Sequence, residues 1–146
     1  MKSLKLALIV GLVASVNACA VDLSAGDYAT ISQIISNAQN EKHKALLEIE
    51  RVCSESVNCN GCVDHEMKLY IEKVKNEFKN TAKLSKADYE KAKKHYYLLK
   101  GQNKKSVGNN EKVQQAKNAM LESEKKYLIN DKAYHLYRKQ MRNRLN

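Results

Sequence analysis

Along the stretch Val63–Lys100, apolar residues return at helical spacing: Met67, Ile71, Val74, Phe78, Ala82, Tyr89, Ala92, Tyr96 and Leu99. Steps alternating between three and four place one apolar stripe on a helix. The stretch contains no Pro or Gly, so nothing in it breaks a helix. The stripe slips near Ser85, and Ser85 with Asp88 has the spacing of a capping box. A break there is the alternative to one continuous helix; the stripe resumes at once, which favours continuity.

Matching stripes lie on both sides. Ile31, Ile35, Ala38, Ala45, Ile49 and Val52, flanked by Ile34 and Leu46, predict a first helix over 25–55. Lys42 interrupts that stripe, and its alkyl stem can lie along the seam while the ammonium reaches water. Ser24 followed by Asp27 marks the helix start, with Asp in place of the usual Glu. Val113, Ala116, Met120, Tyr127, Tyr134, Tyr137 and Met141 predict a third helix over 111–144, on a seam that Ser123 and Asn130 make partly polar. Two polar stretches separate the helices. Asn60-Gly61 supplies turn chemistry in the first. In the second, Gly101 has the place of a helix C-cap and Asn110 that of the next N-cap. Three helices of similar length with short connections predict an all-α fold: an elongated antiparallel three-helix bundle or coiled coil. Helices of about 35 residues would be about 50 Å long.

Residues 1–20 read differently. Lys2 and Lys5 precede a short apolar run, Leu6–Val13, extending to Val16, and small residues follow at Ala18, Cys19 and Ala20. This is the pattern of an export signal, too short for a spanning helix. Ala18-Cys19-Ala20 fits an A-x-A cleavage site that leaves 21–146 as a single helical domain. Alternatively, Val16-Asn17-Ala18-Cys19 resembles the lipobox of bacterial lipoproteins, in which the Cys is lipidated and becomes the first mature residue. An uncleaved anchor is the third reading, and the shortness of the apolar run argues against it. In all three the domain is expected in the periplasm, on the outer membrane or secreted, where disulfides are permitted.

Composition agrees with this picture. Among 146 residues there is no Pro, no Trp and only five Gly, which leans away from turn-rich β folds. Net charge is +10, or +8 without Lys2 and Lys5. A basic surface favours anionic partners, although lysine-rich solvated faces explain the same excess.

Cys53, Cys59 and Cys62 are the disulfide candidates of the domain, and Cys19 is the lipidation candidate. A Cys53–Cys62 bridge would staple the first corner, Cys53–Cys59 is a second pairing, and one thiol is left over. Cys59-Asn60-Gly61-Cys62 is also a C-x-x-C, which makes a thiol-redox protein one alternative. The strand and cis-proline that accompany such a pair in thioredoxin-like enzymes have no counterpart here. Zinc at Cys53, Cys59, Cys62 and His65 has suitable ligand types but not the spacing of a finger. His43, His65, His95 and His135 are scattered singly, and the glutamates lie among lysines at the spacing of surface ion pairs. No metal, cofactor or catalytic residue is therefore expected.

Tyr89 and Tyr96 are expected to face Tyr127 and Tyr134 across the second hairpin, with Tyr97 and Tyr137 as candidates for outward projection beside basic residues. Lys93, Lys94, Arg138, Lys139, Arg142 and Arg144 are the candidates for an anionic surface. The tail cations and the second corner, with Lys100, Lys104 and Lys105, are expected at opposite ends of the rod, so no single patch is predicted. The leading expectation is an exported, non-enzymatic protein that presents a helical face to a protein partner in the envelope or outside the cell, a homodimer included. The alternative is a basic binder of lipid headgroups, polysaccharide or nucleic acid, with nucleic acid the least favoured.

Overall fold

The structure, a computed structural model, describes residues 21–56, 60–103 and 110–143. They form three helices: α1 (Ala25–Ser54), α2 (Cys62–Asn103) and α3 (Asn110–Asn143). The chain is an all-α three-helix bundle. The boundaries follow the hydrophobic pattern to within a few residues.

The start of α1 is the capping box that the sequence implies. Asp27 N–H donates to Ser24 Oγ at 3.3 Å, while Asp27 Oδ2 accepts from the Ser24 N–H at 2.8 Å and from its hydroxyl at 2.7 Å. The Asn60-Gly61 turn is also present. Gly61 has φ +84, a left-handed conformation that favours glycine, and its carbonyl accepts from the His65 N–H to open α2. Gly101 differs from expectation. It lies inside α2, which runs on to Asn103, so the helix overrides a weak former instead of stopping at it. Asn110 is the first residue of α3, not its preceding cap.

α2 is continuous through Ser85. That side chain is buried and donates to the Thr81 carbonyl at 2.8 Å, four residues back, so it caps no new helix. Its oxygen also accepts from Asn130 Nδ2 at 2.6 Å. The two polar residues on opposing seams thus satisfy each other.

The contacts set the directions. Facing pairs on α2 and α3 are Phe78 with Tyr137, Ser85 with Asn130, and Tyr89 with Tyr127, so these helices are antiparallel. Asp27 meets Lys125 and Gln39 meets Gln140, so α1 runs parallel to α3. The topology is up-down-up, and the α2–α3 interface is the most extensive of the three.

The three helices do not share both ends. α2 has 42 residues, α3 34 and α1 30. Because Asp27 is level with Lys125, and Tyr127 with Tyr89, α1 begins only partway along the α2–α3 pair. Beyond that level α2 and α3 continue as a two-helix hairpin. At the other end α3 stops near the level of Lys42, since Gln140 faces Gln39. There α1 and α2 continue as a second two-helix arm. Among the described residues a three-helix cross-section exists only in the middle, and that is where the core lies: Ile31, Ile35, Ile71, Ala133, Tyr137 and Met141.

Tyr137 is the largest fully buried side chain, at 1% exposure, and its ring stacks on Phe78 with centroids 4.8 Å apart. Its projection outward is therefore corrected: it anchors the core. Its hydroxyl is buried without a hydrogen-bond partner, and burial, aided by Tyr70, Glu72 and Glu77, pushes its pKa up to about 12. Tyr137→Ala should cost about 3–5 kcal/mol in denaturant unfolding. Tyr137→Phe should be neutral or stabilising, because it removes an unpaired polar group. The raised pKa means that the unfolded chain loses this proton first. The wild type should therefore lose stability as pH rises from about 10, and Tyr137→Phe should lose less.

Candidate functional site

Two features compete for attention, one at each end. The first is the arm made by the last turns of α1 and the first turns of α2. Cys53 and Cys62 lie across its tip with sulfurs 1.95 Å apart and Cα atoms 5.9 Å apart. The first of the expected pairings is thus the one the structure brings together. Cys59 lies outside the described residues, as do Cys19 and the whole of 1–20. With Cys62 bonded to Cys53, a Cys59–Cys62 couple would first require disulfide exchange.

Leu46, Ile49, Val63 and Met67 are half-buried along this arm. Leu47, Val52 and Leu69 are each about half exposed, at 54%, 52% and 54%. Lower down, α3 covers the α1–α2 pair and buries Ile31, Ile35 and Ile71. Above the end of α3 no described residue continues that cover. The charged residues of the arm are ordinary surface pairs. Arg51 bonds Glu48 at 2.6 Å and Glu55 at 2.9 Å, and its hydrogen bonds and charge lower the Glu48 pKa.

The second feature is the α2–α3 hairpin beyond the start of α1. Tyr89 and Tyr127 stack there with centroids 6.3 Å apart, as the periodicity implies. Tyr96 and Tyr134 do not meet. Facing residue numbers add to 215 or 216, so Tyr96 falls opposite the region of Met120, and Tyr134 opposite Ala82. Tyr96 instead packs beside Tyr97 at 5.1 Å, and Tyr134 beside His135 at 5.2 Å. Reflecting the sequence about the second loop would have excluded the Tyr96–Tyr134 pair.

The anionic-surface candidates divide between these places. Lys93 sits over the Tyr89 ring at 5.4 Å, and Lys94 is exposed nearby. Arg138 and Arg142 border a groove of about 410 Å³ with Ile71, Glu72, Lys75, Tyr134 and Met141, and Lys139 is exposed beside it. Arg138 is level with Phe78, so the two groups are roughly 25 Å apart along the axis at 1.5 Å per residue. They form no common patch. Arg144, Lys104 and Lys105 lie outside the described residues.

The grooves between helices are open. One of about 330 Å³ is lined by Ile34, Glu77, Phe78, Thr81, Asn130 and Ala133. All four histidines are exposed. Among the described residues no three His, Cys, Asp or Glu side chains gather as a metal site, and no helix is long and apolar enough to cross a membrane. No family model, curated protein or solved structure matches the chain.

Asp27 links α1 to the rest. Besides capping its own helix it pairs with Lys125 at 3.0 Å. Its pKa is lowered, first by the hydrogen bond from the Ser24 hydroxyl, then by the Ser24 N–H, with Lys125 adding. A lowered carboxyl pKa gives stability above the unfolded value and loses it as pH falls through the folded one. The melting-temperature gap between wild type and Asp27→Asn should be widest above about pH 5 and should close below about pH 4. At the other end of α1, Cys53→Ser should lower unfolding free energy by about 2–3 kcal/mol, the loop-closure value for so short a loop. Reductant should produce the same loss in the wild type and none in the variant.

Proposed function

We propose that this is an exported, non-enzymatic helical protein whose stapled α1–α2 arm receives a helix of a protein partner, in the cell envelope or outside the cell. The observation that carries this reading is the stagger. In the middle of the bundle the α1–α2 pair is covered by α3; on the arm no described residue covers the third side of the same pair. A partner helix laid where α3 leaves off would complete the three-helix cross-section and cover Leu46, Ile49 and Met67. Helix-in-groove recognition of this kind uses apolar anchors spaced by three and four.

Two further features support it. The disulfide across the tip holds the arm closed in its receiving geometry, so less ordering is needed on binding. The same disulfide suits an oxidising compartment, as the leader-like residues 1–20 do.

Photo-crosslinking in the native host tests this. A crosslinkable residue replacing Leu46 or Ile49 should give one discrete adduct with a second protein. The same residue at Lys126, on α3, should give none. Reducing the Cys53–Cys62 bond should weaken the adduct. A dimer of this chain would identify the partner as a second copy. Absence of any arm-specific adduct would reject the reading.

A further inference from the structure

The opposite end of the molecule carries a separate signal. From Lys91 to Lys117 the sequence holds eight lysines and a single acidic residue, Glu111. That is +7 of the chain's +10 within 27 residues. Six of these lysines, Lys91, Lys93, Lys94, Lys100, Lys112 and Lys117, lie on the described parts of the α2–α3 hairpin.

α2 also has a second stripe there. Leu84, Ala87, Lys91, Lys94 and Leu98 recur at steps of three and four, on the side of the helix opposite Ala82, Ser85, Tyr89 and Tyr96. Every member is exposed; Leu84 and Leu98 are 67% and 59% exposed, and the neighbouring Tyr97 is 41%. Core packing explains none of these three large side chains. Leucines bracketing lysines, with a tyrosine beside them, are the composition of a helix face lying in a headgroup layer. The lysine stems extend past the apolar groups to reach phosphates.

Topology adds an independent reason. The capping box that starts α1 is level with Tyr89 and Tyr127, so Val21, and on the lipobox reading a lipidated Cys19 two residues before it, joins the bundle at this same end.

We propose that the outer face of α2 from Leu84 to Leu98 docks on an anionic lipid bilayer, with Lys91 and Lys94 contacting headgroup phosphates and Leu98 and Tyr97 entering the interface. This lies at the other end from the partner-binding arm and stands or falls separately from it.

The test is co-sedimentation of the full chain with vesicles of phosphatidylcholine alone or mixed with phosphatidylglycerol. Because Lys2 and Lys5 would themselves favour anionic vesicles, the contribution of α2 is read as the difference between the wild type and variants that keep residues 1–20. Phosphatidylglycerol should raise affinity, and added salt should abolish the increase. Lys91→Gln/Lys94→Gln should lower the anion-dependent affinity by about tenfold or more, and Leu98→Gln by about fivefold. These positions are exposed, so circular dichroism and thermal melts should match the wild type. Equal binding to both vesicle types would overturn the proposal, as would lysine replacement without effect. Loss with the lysines but not with Leu98, paralleled by equal loss on heparin, would also overturn it, marking a polyanion site instead of a bilayer site.

Discussion

Everything in this bundle depends on the seam between α2 and α3. Both helices are long enough to pair over most of their length, and the register is set where Phe78 stacks on Tyr137 and Asn130 donates to Ser85. A one-turn slip would take Tyr137 off Phe78. It would also part the Asn130 amide from the Ser85 hydroxyl, and a half-buried amide that loses its partner is costly. A mixed seam therefore specifies alignment better than a uniformly apolar one. α1 is added to this pair. It contributes Ile31 and Ile35 to the common core and is held at its ends by Asp27 with Lys125 and by Cys53 with Cys62.

The stagger follows from helix length and from where each helix must start. α1 begins at its capping box, and its position along α3 is set by the Asp27–Lys125 and Gln39–Gln140 contacts. α2 passes through Gly101 and outruns α1 at that end, while at the other end it begins at Cys62, beyond the level where α3 stops. The result is a rod with a thick centre and two thinner ends of different character. One end is closed by a disulfide and lined with half-buried aliphatics. The other is basic and carries two exposed leucines on its outer side.

Much of the fold was legible because it is written in local chemistry. Ser24 and Asp27, Asn60-Gly61 and the three-four stripes each act over a few residues, and each appears as expected. The Cys53–Cys62 pairing was among the readings that short-loop geometry allows. Offsets were not legible, because they depend on matching one seam against another. Tyr137 has the same periodicity whether it lies at the centre or the edge of a stripe, and only the position of Phe78 on the facing helix decides. The Tyr96–Tyr134 pairing failed for the same reason. The outer stripe of α2 was masked by the inner one, since Leu84 and Leu98 fall between the core positions and lie at the surface. The tail cations Arg138, Lys139, Arg142 and Arg144 fall within seven residues, whereas the larger lysine excess of the hairpin is spread across two helices.

One consequence of the disulfide reaches beyond its own corner. α1 makes the lesser share of the helix contacts, so it is the element that local opening should release first. It would come away from its N-terminal end, because its far end is covalently held to α2. Such a release is a hinged lift: the freed helix stays within reach of its groove at a high effective concentration and re-seats without a search. The molecule thereby has the mechanics of a latch, able to open along one side while its overall alignment persists.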